Sequence, residues 1–376
     1  MSDFLKNISG LKKIVILSVF IIVVAAIIIF FVLHPGKKRP IKIGAIISLS
    51  GPASNLVDVR DGMVLAADEI NSRGGINGRK IELIIEDSKT NPQEGIKAFN
   101  RIQAAHNPVL YVSTLSHVSL ALSPLAEQNE VVLIGLVVGN PAFAERKKWT
   151  FRYYSSAETE VPPIIKILRE LKIKKIGILY SNEKYGTSFF TSLKEAFEKS
   201  GGTIKSKSFD IKDFDYREEI GILRNMEAIY AVGFPKHLME VLRQLKEENY
   251  NGIILGPSAA TSSPVRKLPA ANGTYVAAPI IYDPKYLFAR KVKEKYQARY
   301  DKSLNHQSAN GYDCLKLLAG LLEDKKVSRE SVRDLLEQGF SYPGIFGTLV
   351  VKPGEHDISF PLHPAQIIDG EVKYLR

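Results

Sequence analysis

The hydrophobic pattern divides the chain into two regimes. Residues 14–33 are an unbroken apolar run in which Ser18 is the only polar side chain. As a helix such a run is about 30 Å long, the thickness of a bilayer's hydrocarbon core. From residue 41 onward, short apolar runs bounded by turn residues alternate with stretches whose apolar positions recur three and four apart. The short runs predict buried strands and the longer stretches predict amphipathic helices.

In chain order, the pattern predicts a strand over 41–49 running into Ser50-Gly51-Pro52. A helix follows over 58–71, with Asp58 as its N-cap and Gly74 as its stop. Strands over 81–85, 109–112 and 131–134 come next, with helices starting near Pro92 and over 118–128 between them. The rhythm then repeats. Helices are expected over 163–171, 186–199, 217–224 and 237–248, and strands over 176–180, 203–209, 228–232 and 253–255. Strands joined through helices imply parallel sheets covered on both faces, so the fold class is α/β. Two successive runs imply two doubly wound lobes. Helices over 287–300 and 310–322 follow. The tail changes character: 347–351 and 365–374, the latter carrying Asp369-Gly370, read as antiparallel hairpins.

Composition narrows the class. The chain has 376 residues, 45% apolar and 24% charged, which excludes wholesale disorder and gives room for about two domains. Its net charge is +11, and Lys6, Lys12, Lys13, Lys37, Lys38 and Arg39 against Asp3 place +5 of that in the first 40 residues. The basicity therefore flanks the apolar run. Clusters elsewhere (Lys172, Lys174, Lys175; Lys291, Lys293, Lys295) fall on solvated element ends without interleaved aromatics, so no nucleic-acid partner is expected. The apolar run exceeds a signal peptide's h-region, and Phe30, Phe31, Val32, Leu33 and His34 stand where a cleavage site needs small residues. It reads as an uncleaved transmembrane anchor, N-terminus inside, with 35–40 a linker and the body in the periplasm or outside the cell.

The expected enzyme motifs are missing. The sequence contains no phosphate loop, no Gly-x-Gly-x-x-Gly after a strand, no Gly-x-Ser-x-Gly and no His-Glu-x-x-His. Gly74-Gly75-Ile76-Asn77-Gly78 follows a helix and precedes a strand, so it is a turn. His356 and His363 read as surface-loop residues and not as a metal pair. Cys314, the only cysteine, lies among Leu315, Leu317 and Leu318 as a core thiol. No cofactor or metal is called for, and the chain is not expected to be an enzyme. The predicted strand ends do carry small polar residues: Ser48 and Ser50, then Ser113, Thr114 and Ser116, then Gly139 and Asn140, and Gly256, Pro257 and Ser258 in the second run. Ligands of open α/β sheets bind at such carboxyl ends. Ser116, just before a helix start, is the best placed to meet an anion.

Ile43-Gly-Ala-Ile-Ile-Ser-Leu-Ser-Gly-Pro52, Ala66-Ala-Asp-Glu-Ile-Asn71, Arg73-Gly-Gly-Ile-Asn-Gly-Arg79, Glu86-Asp87 and Asn91-Pro92 together resemble the opening of the leucine/isoleucine/valine-binding proteins. These are type I periplasmic solute-binding components of ABC importers. Tyr185-Gly186, Gly256-Pro257, Tyr312-Asp313 and Asp369-Gly370 continue the resemblance more loosely to the C-terminus. It implies two lobes joined by three hinge crossings and interleaved in sequence: 41–156 plus 283–342 as the first, 157–282 plus 343–376 as the second, behind the anchor and linker of 1–40.

The resemblance also implies site residues. The serine that takes a ligand carboxylate matches Ser116. The turn that follows the fourth strand matches Val137, Val138 and Gly139, without the family's threonine. The aromatic wall matches Leu56, Tyr185 and Phe234, and the acid that takes a ligand ammonium matches Ser258. Glu158, Glu183 or Asp283 could supply that acid from a hinge or loop. The expected function is therefore solute binding by hinge closure, delivering a small carboxylate or amide, in preference to a zwitterion, to an ABC permease. A membrane-tethered ligand-sensing receptor of the same fold is the alternative, and a membrane-anchored hydrolase or transferase lacks its triad.

Overall fold

The computed structural model describes residues 18–25 and 38–375. The chain separates into two units, 1–40 and 41–376. In the first, residues 18–25 are helical with exposed side chains; the rest of the expected span over 14–33 lies outside the described residues. Among the described residues, no helix is long and apolar enough to cross a membrane.

In the second unit, β1 (Ile41–Ile47) is buried along almost its whole length, as a central parallel strand must be. It pairs with β2 (Ile81–Asp87) on one side and β3 (Leu110–Thr114) on the other; β4 (Val132–Leu136) and β5 (Thr150–Tyr153) extend a five-stranded parallel sheet ordered β2-β1-β3-β4-β5. The direction of winding reverses between β1 and β3, so the loops after these two strands open a crevice at the carboxyl edge. The second sheet repeats this. β6 (Lys175–Ser181), β7 (Thr203–Phe209), β8 (Ala228–Val232), β9 (Ile253–Gly256) and β10 (Tyr275–Pro279) are parallel, and the reversal lies between β6 and β8. β13 (Leu362–Ile368) and β14 (Glu371–Tyr374) add an antiparallel hairpin. Asp369 and Gly370 turn it with φ of 51° and 75°, the left-handed pair that such a two-residue turn demands.

Besides a four-residue helix over Ser263–Arg266 and short 3-10 turns, the helices are α1 (Val57–Ser72), α2 (Pro92–His106), α3 (Ser116–Gln128), α4 (Ala157–Glu170), α5 (Lys184–Lys199), α6 (Arg217–Leu223), α7 (Pro235–Glu247), α8 (Leu287–Tyr300), α9 (His306–Leu322) and α10 (Arg329–Glu337). Although α9 follows the second sheet in sequence, it packs on α1 beside the first. Glycines allow it: a Cβ on Gly62 would stand 2.0 Å from the Ser308 carbonyl oxygen, and one on Gly311 would stand 2.2 Å from that of Val59. The chain thus returns to the first lobe after building most of the second.

Three local expectations change. Asp58 does not cap α1, whose N-cap position is Leu56; Asp58 lies inside the first turn and accepts from Asn305 Nδ2 at 2.7 Å. Helix α4 begins at Ala157, six residues before the expected start, because Ser156 caps it and Pro162 and Pro163 lie within it. Strand β12 (Gly347–Val351) pairs with β11 (Phe340–Gly344) in a separate two-stranded sheet, and the expected lobe boundary at 342/343 falls inside this hairpin. The hairpin is pinned by the buried Asp313, which accepts from Tyr153 Oη at 2.5 Å, Tyr342 Oη at 2.8 Å and the Ile345 N–H at 3.1 Å. Burial pushes the Asp313 carboxyl up to about 6.

Candidate ligand cleft

The carboxyl edges of the two sheets face each other. The loop after β1 brings Asn55 and Leu56, and the loop after β3 brings Leu115 and Ser116. The loop after β4 brings Val137, the loop after β6 leads to Tyr185, and the one after β8 carries Gly233, Phe234 and Pro235. With Tyr154, Ala259 and Gln307, these residues surround a cavity of about 20 Å³. That holds roughly one water, where a benzene-sized body needs about 150 Å³. The lobes are therefore closed on each other.

Two backbone positions beside the cavity sit in the left-handed region: Leu115 at φ 71° and Val137 at φ 55°. A β-branched residue rarely goes there, and each such position costs of order 1–3 kcal/mol. The twist carries the chain from β3 directly into α3, so that Ser116 is the first helical residue. Its hydroxyl does not cap the helix. It accepts the Asn140 N–H at 3.2 Å, tying the loops after β3 and β4 together, while the first N–H groups of α3 have no side-chain cap. A helix start with free donors suits a carboxylate.

Contacts across the cleft are close. A Cβ on Gly139 would stand 3.0 Å from the Tyr185 ring and 3.2 Å from that of Phe189, so only glycine fits without displacing them. The Asn140 Nδ2 donates to the Lys184 carbonyl at 2.9 Å, and His117 Nδ1 lies 3.7 Å from a Glu183 carboxylate oxygen.

The far wall holds the acid that position 258 lacks. Glu160, on α4, is fully buried and accepts both the N–H and the hydroxyl of Ser258, each at 2.7 Å. Burial pushes its carboxyl up to about 7 against the pull of those two bonds. From Ser258 the polar chain continues through Tyr154 Oη at 3.2 Å to His306 Nε2 at 3.1 Å, and from His306 Nδ1 to Thr261 at 3.2 Å. Burial pulls His306 down to about 3, so it is neutral near pH 7. The hydroxyls of Tyr185 and Tyr230, both buried, have no hydrogen-bond partner among the described residues.

The structure thus brings Leu56, Ser116, Val137, Tyr185 and Phe234 around one space; Val138, Gly139 and Ser258 are buried beside it and do not line it. None of the three acids that could stand in for the one at 258 does so. Glu183 caps α5 by accepting the Tyr185 and Gly186 N–H groups, Asp283 accepts the Lys285 N–H in a turn, and Glu158 is exposed beside a separate groove. In that groove, of about 800 Å³, Arg152 is already paired with Asp357, and the remaining charges are of both signs. Sequence reading missed Asn55, Leu115, Tyr154, Gln307 and Glu160. A signal for Glu160 existed: Ala157, Glu160, Val161, Ile164, Ile167 and Leu168 form one buried helical stripe. The stripe is hidden when the helix is taken to start at Pro163. Among the described residues no group of three or more His, Cys, Asp or Glu could hold a metal. Cys314 is buried, and burial pushes its thiol far up.

Residues 40–371 match the family model described as periplasmic binding protein. A leucine-, isoleucine-, valine-, threonine- and alanine-binding protein of Pseudomonas aeruginosa is 25% identical over 257 residues, covering 65% of this chain and 68% of that protein. A leucine binding protein from Thermotoga maritima superposes with a TM-score of 0.82 at 20% identity, over 89% of this chain and 98% of that one. A solute binding protein of an ABC transporter from Rhodopseudomonas palustris, in complex with 3,4-dihydroxybenzoic acid, superposes with a TM-score of 0.80 at 19% identity, over 90% and 96%.

Proposed function

The chain belongs to the periplasmic binding protein family that includes the leucine/isoleucine/valine-binding proteins, and from that premise we propose that it is the extracytoplasmic substrate-binding component of an ABC importer. It is a binding protein and not an enzyme. Its ligand is a small organic solute with an anionic or polar end at Ser116 and the start of α3, and an apolar body against Leu56, Val137 and Phe234. The observation that carries this reading is the convergence of residues from both sheets on one narrow cavity. A ligand that touches both lobes stabilises the closed state over the open one, and the closed form is what a permease would dock.

The lobe division read from the sequence is kept with one change. Residues 343–358 go with 41–156 and 283–342, because the Arg152 N–H bonds the His356 carbonyl at 2.8 Å and the Ile358 N–H bonds the Arg152 carbonyl at 2.7 Å. The second lobe is then 157–282 plus 359–376. The anchor over 14–33 holds the body at the outer face of the cytoplasmic membrane; its length and lack of charge support this. N-terminal sequencing of the membrane-fraction protein tests it, and a mature start between residues 34 and 41 contradicts it.

Calorimetric titration with leucine, isovalerate, isovaleramide and 3,4-dihydroxybenzoate tests the ligand class. At least one should bind, and Ser116→Ala should weaken it. A ligand at 100 times its Kd adds about 2.7 kcal/mol of stability, so a thermal shift should accompany binding. No binding by any of the four contradicts the reading.

A further inference from the structure

Glu160 is completely buried. Its hydrogen-bond donors among the described residues are the N–H and hydroxyl of Ser258, and no Lys, Arg or His forms an ion pair with it. The ionisable groups that feel its charge are Tyr154 from the segment after β5, Tyr185 from α5 and Tyr230 from β8. Strands β10 and β13 also pack on α4, and their Tyr275 and His363 share no hydrogen bond or ion pair with it. Tyr185 lines the cavity with a buried hydroxyl that has no partner among the described residues. Ser258 occupies the place from which the resemblance expects an acid, and it spends both its donors on this carboxyl. An unpaired buried carboxylate costs several kcal/mol, and a titratable group buried just behind the lining of a cleft is a candidate for function.

We infer that Glu160 is the specificity-determining acid of this cleft, reading the ligand's second end from behind the cavity lining, through Ser258 to Tyr154 and beside Tyr185. The charge has moved from the turn after β9 onto helix α4. Ionised, Glu160 favours an ammonium or another cationic nitrogen at that wall. Protonated, it favours a solute with no cation. Because the two forms interconvert near neutral pH, the ligand preference follows pH. This rests on the cleft being the ligand site.

The test is calorimetric titration of the full chain with leucine and with isovalerate at pH 6 and pH 8, for wild type, Glu160→Gln and Ser258→Ala. In wild type, the affinity for leucine relative to isovalerate should rise about tenfold or more between the two pH values, since the ionised fraction rises about tenfold around a midpoint near 7. Glu160→Gln should flatten that change. Ser258→Ala removes one donor to the carboxylate and should move the midpoint to higher pH. A pH-dependent preference equal in wild type and Glu160→Gln overturns the assignment of Glu160 and leaves the cleft standing. If wild type binds neither probe at either pH, this inference fails, while the ligand class proposed for the cleft still stands or falls on isovaleramide and 3,4-dihydroxybenzoate.

Discussion

Ser258 turns both of its donors onto one carboxyl: its N–H and its hydroxyl each lie 2.7 Å from an oxygen of Glu160. The pair has a consequence for stability that needs no ligand. An ordinary glutamate releases its proton near 4.5, whereas burial holds Glu160 up to about 7. Between these values the folded chain keeps a proton that the unfolded chain has lost, so stability falls as pH rises from 4.5 through 7. The loss amounts to roughly 3 kcal/mol at most. Asp313, held up to about 6, adds a loss of the same sign, while His306, held down to about 3, gives stability that is lost as pH falls below about 6.5. Glu160→Gln should remove only the first contribution. Urea unfolding of both proteins from pH 5 to 8 checks this: the gap should move in favour of Glu160→Gln as pH rises, and parallel curves contradict it.

Gly139→Ala should separate binding from folding. Its new methyl would press on Tyr185 and Phe189 across the cleft. The closed state should lose about 1.4 kcal/mol, which is tenfold in affinity for whichever probe binds. The melting temperature without ligand should move by no more than about 2 °C, because the methyl meets Tyr185 and Phe189 only when the lobes close.

Gly62→Ala and Gly311→Ala should do the reverse. Each places a methyl about 2 Å from a carbonyl oxygen of the facing helix, and the backbones of α1 and α9 would have to part. Overpacking of this kind costs about 1–3 kcal/mol or more. Chemical denaturation should show the loss, with affinity per folded molecule changed less than in Gly139→Ala.

Val137→Asn tests whether backbone strain belongs to the site. Asn tolerates the left-handed region that Val137 occupies at φ 55°. The substitution should add about 1 kcal/mol of stability while weakening ligand binding, because an apolar wall residue is exchanged for a polar one. A loss of stability would mean that the packing of the Val137 side chain outweighs the strain.

The α/β rhythm was legible because buried parallel strands such as Ile41–Ile47 read as continuous apolar runs and the helices between them as stripes. Ser116 could be found because it stands between a predicted strand and a predicted helix start, whereas Phe234 came only with the family resemblance; both follow strands where the winding reverses. What could not be read depends on contacts distant in sequence. Gln307 reaches the cleft only because α9 packs back on α1, and Asn55 Nδ2 meets its Oε1 at 3.0 Å across 252 residues. The hairpin Phe340–Gly344 with Gly347–Val351 belongs to its own sheet because Asp313 and Tyr153 hold it there. Glu160 was missed for a local reason, the two prolines inside α4 that look like a helix start.

Hinge closure on a ligand is most directly tested by small-angle scattering of the protein alone and with saturating leucine or isovalerate, whichever calorimetry shows to bind. The closed cleft, with a cavity of about 20 Å³, is too small to admit either probe without opening. The account predicts a larger radius of gyration for the protein alone, contracting when the probe is added. An equal radius with and without saturating probe would contradict it.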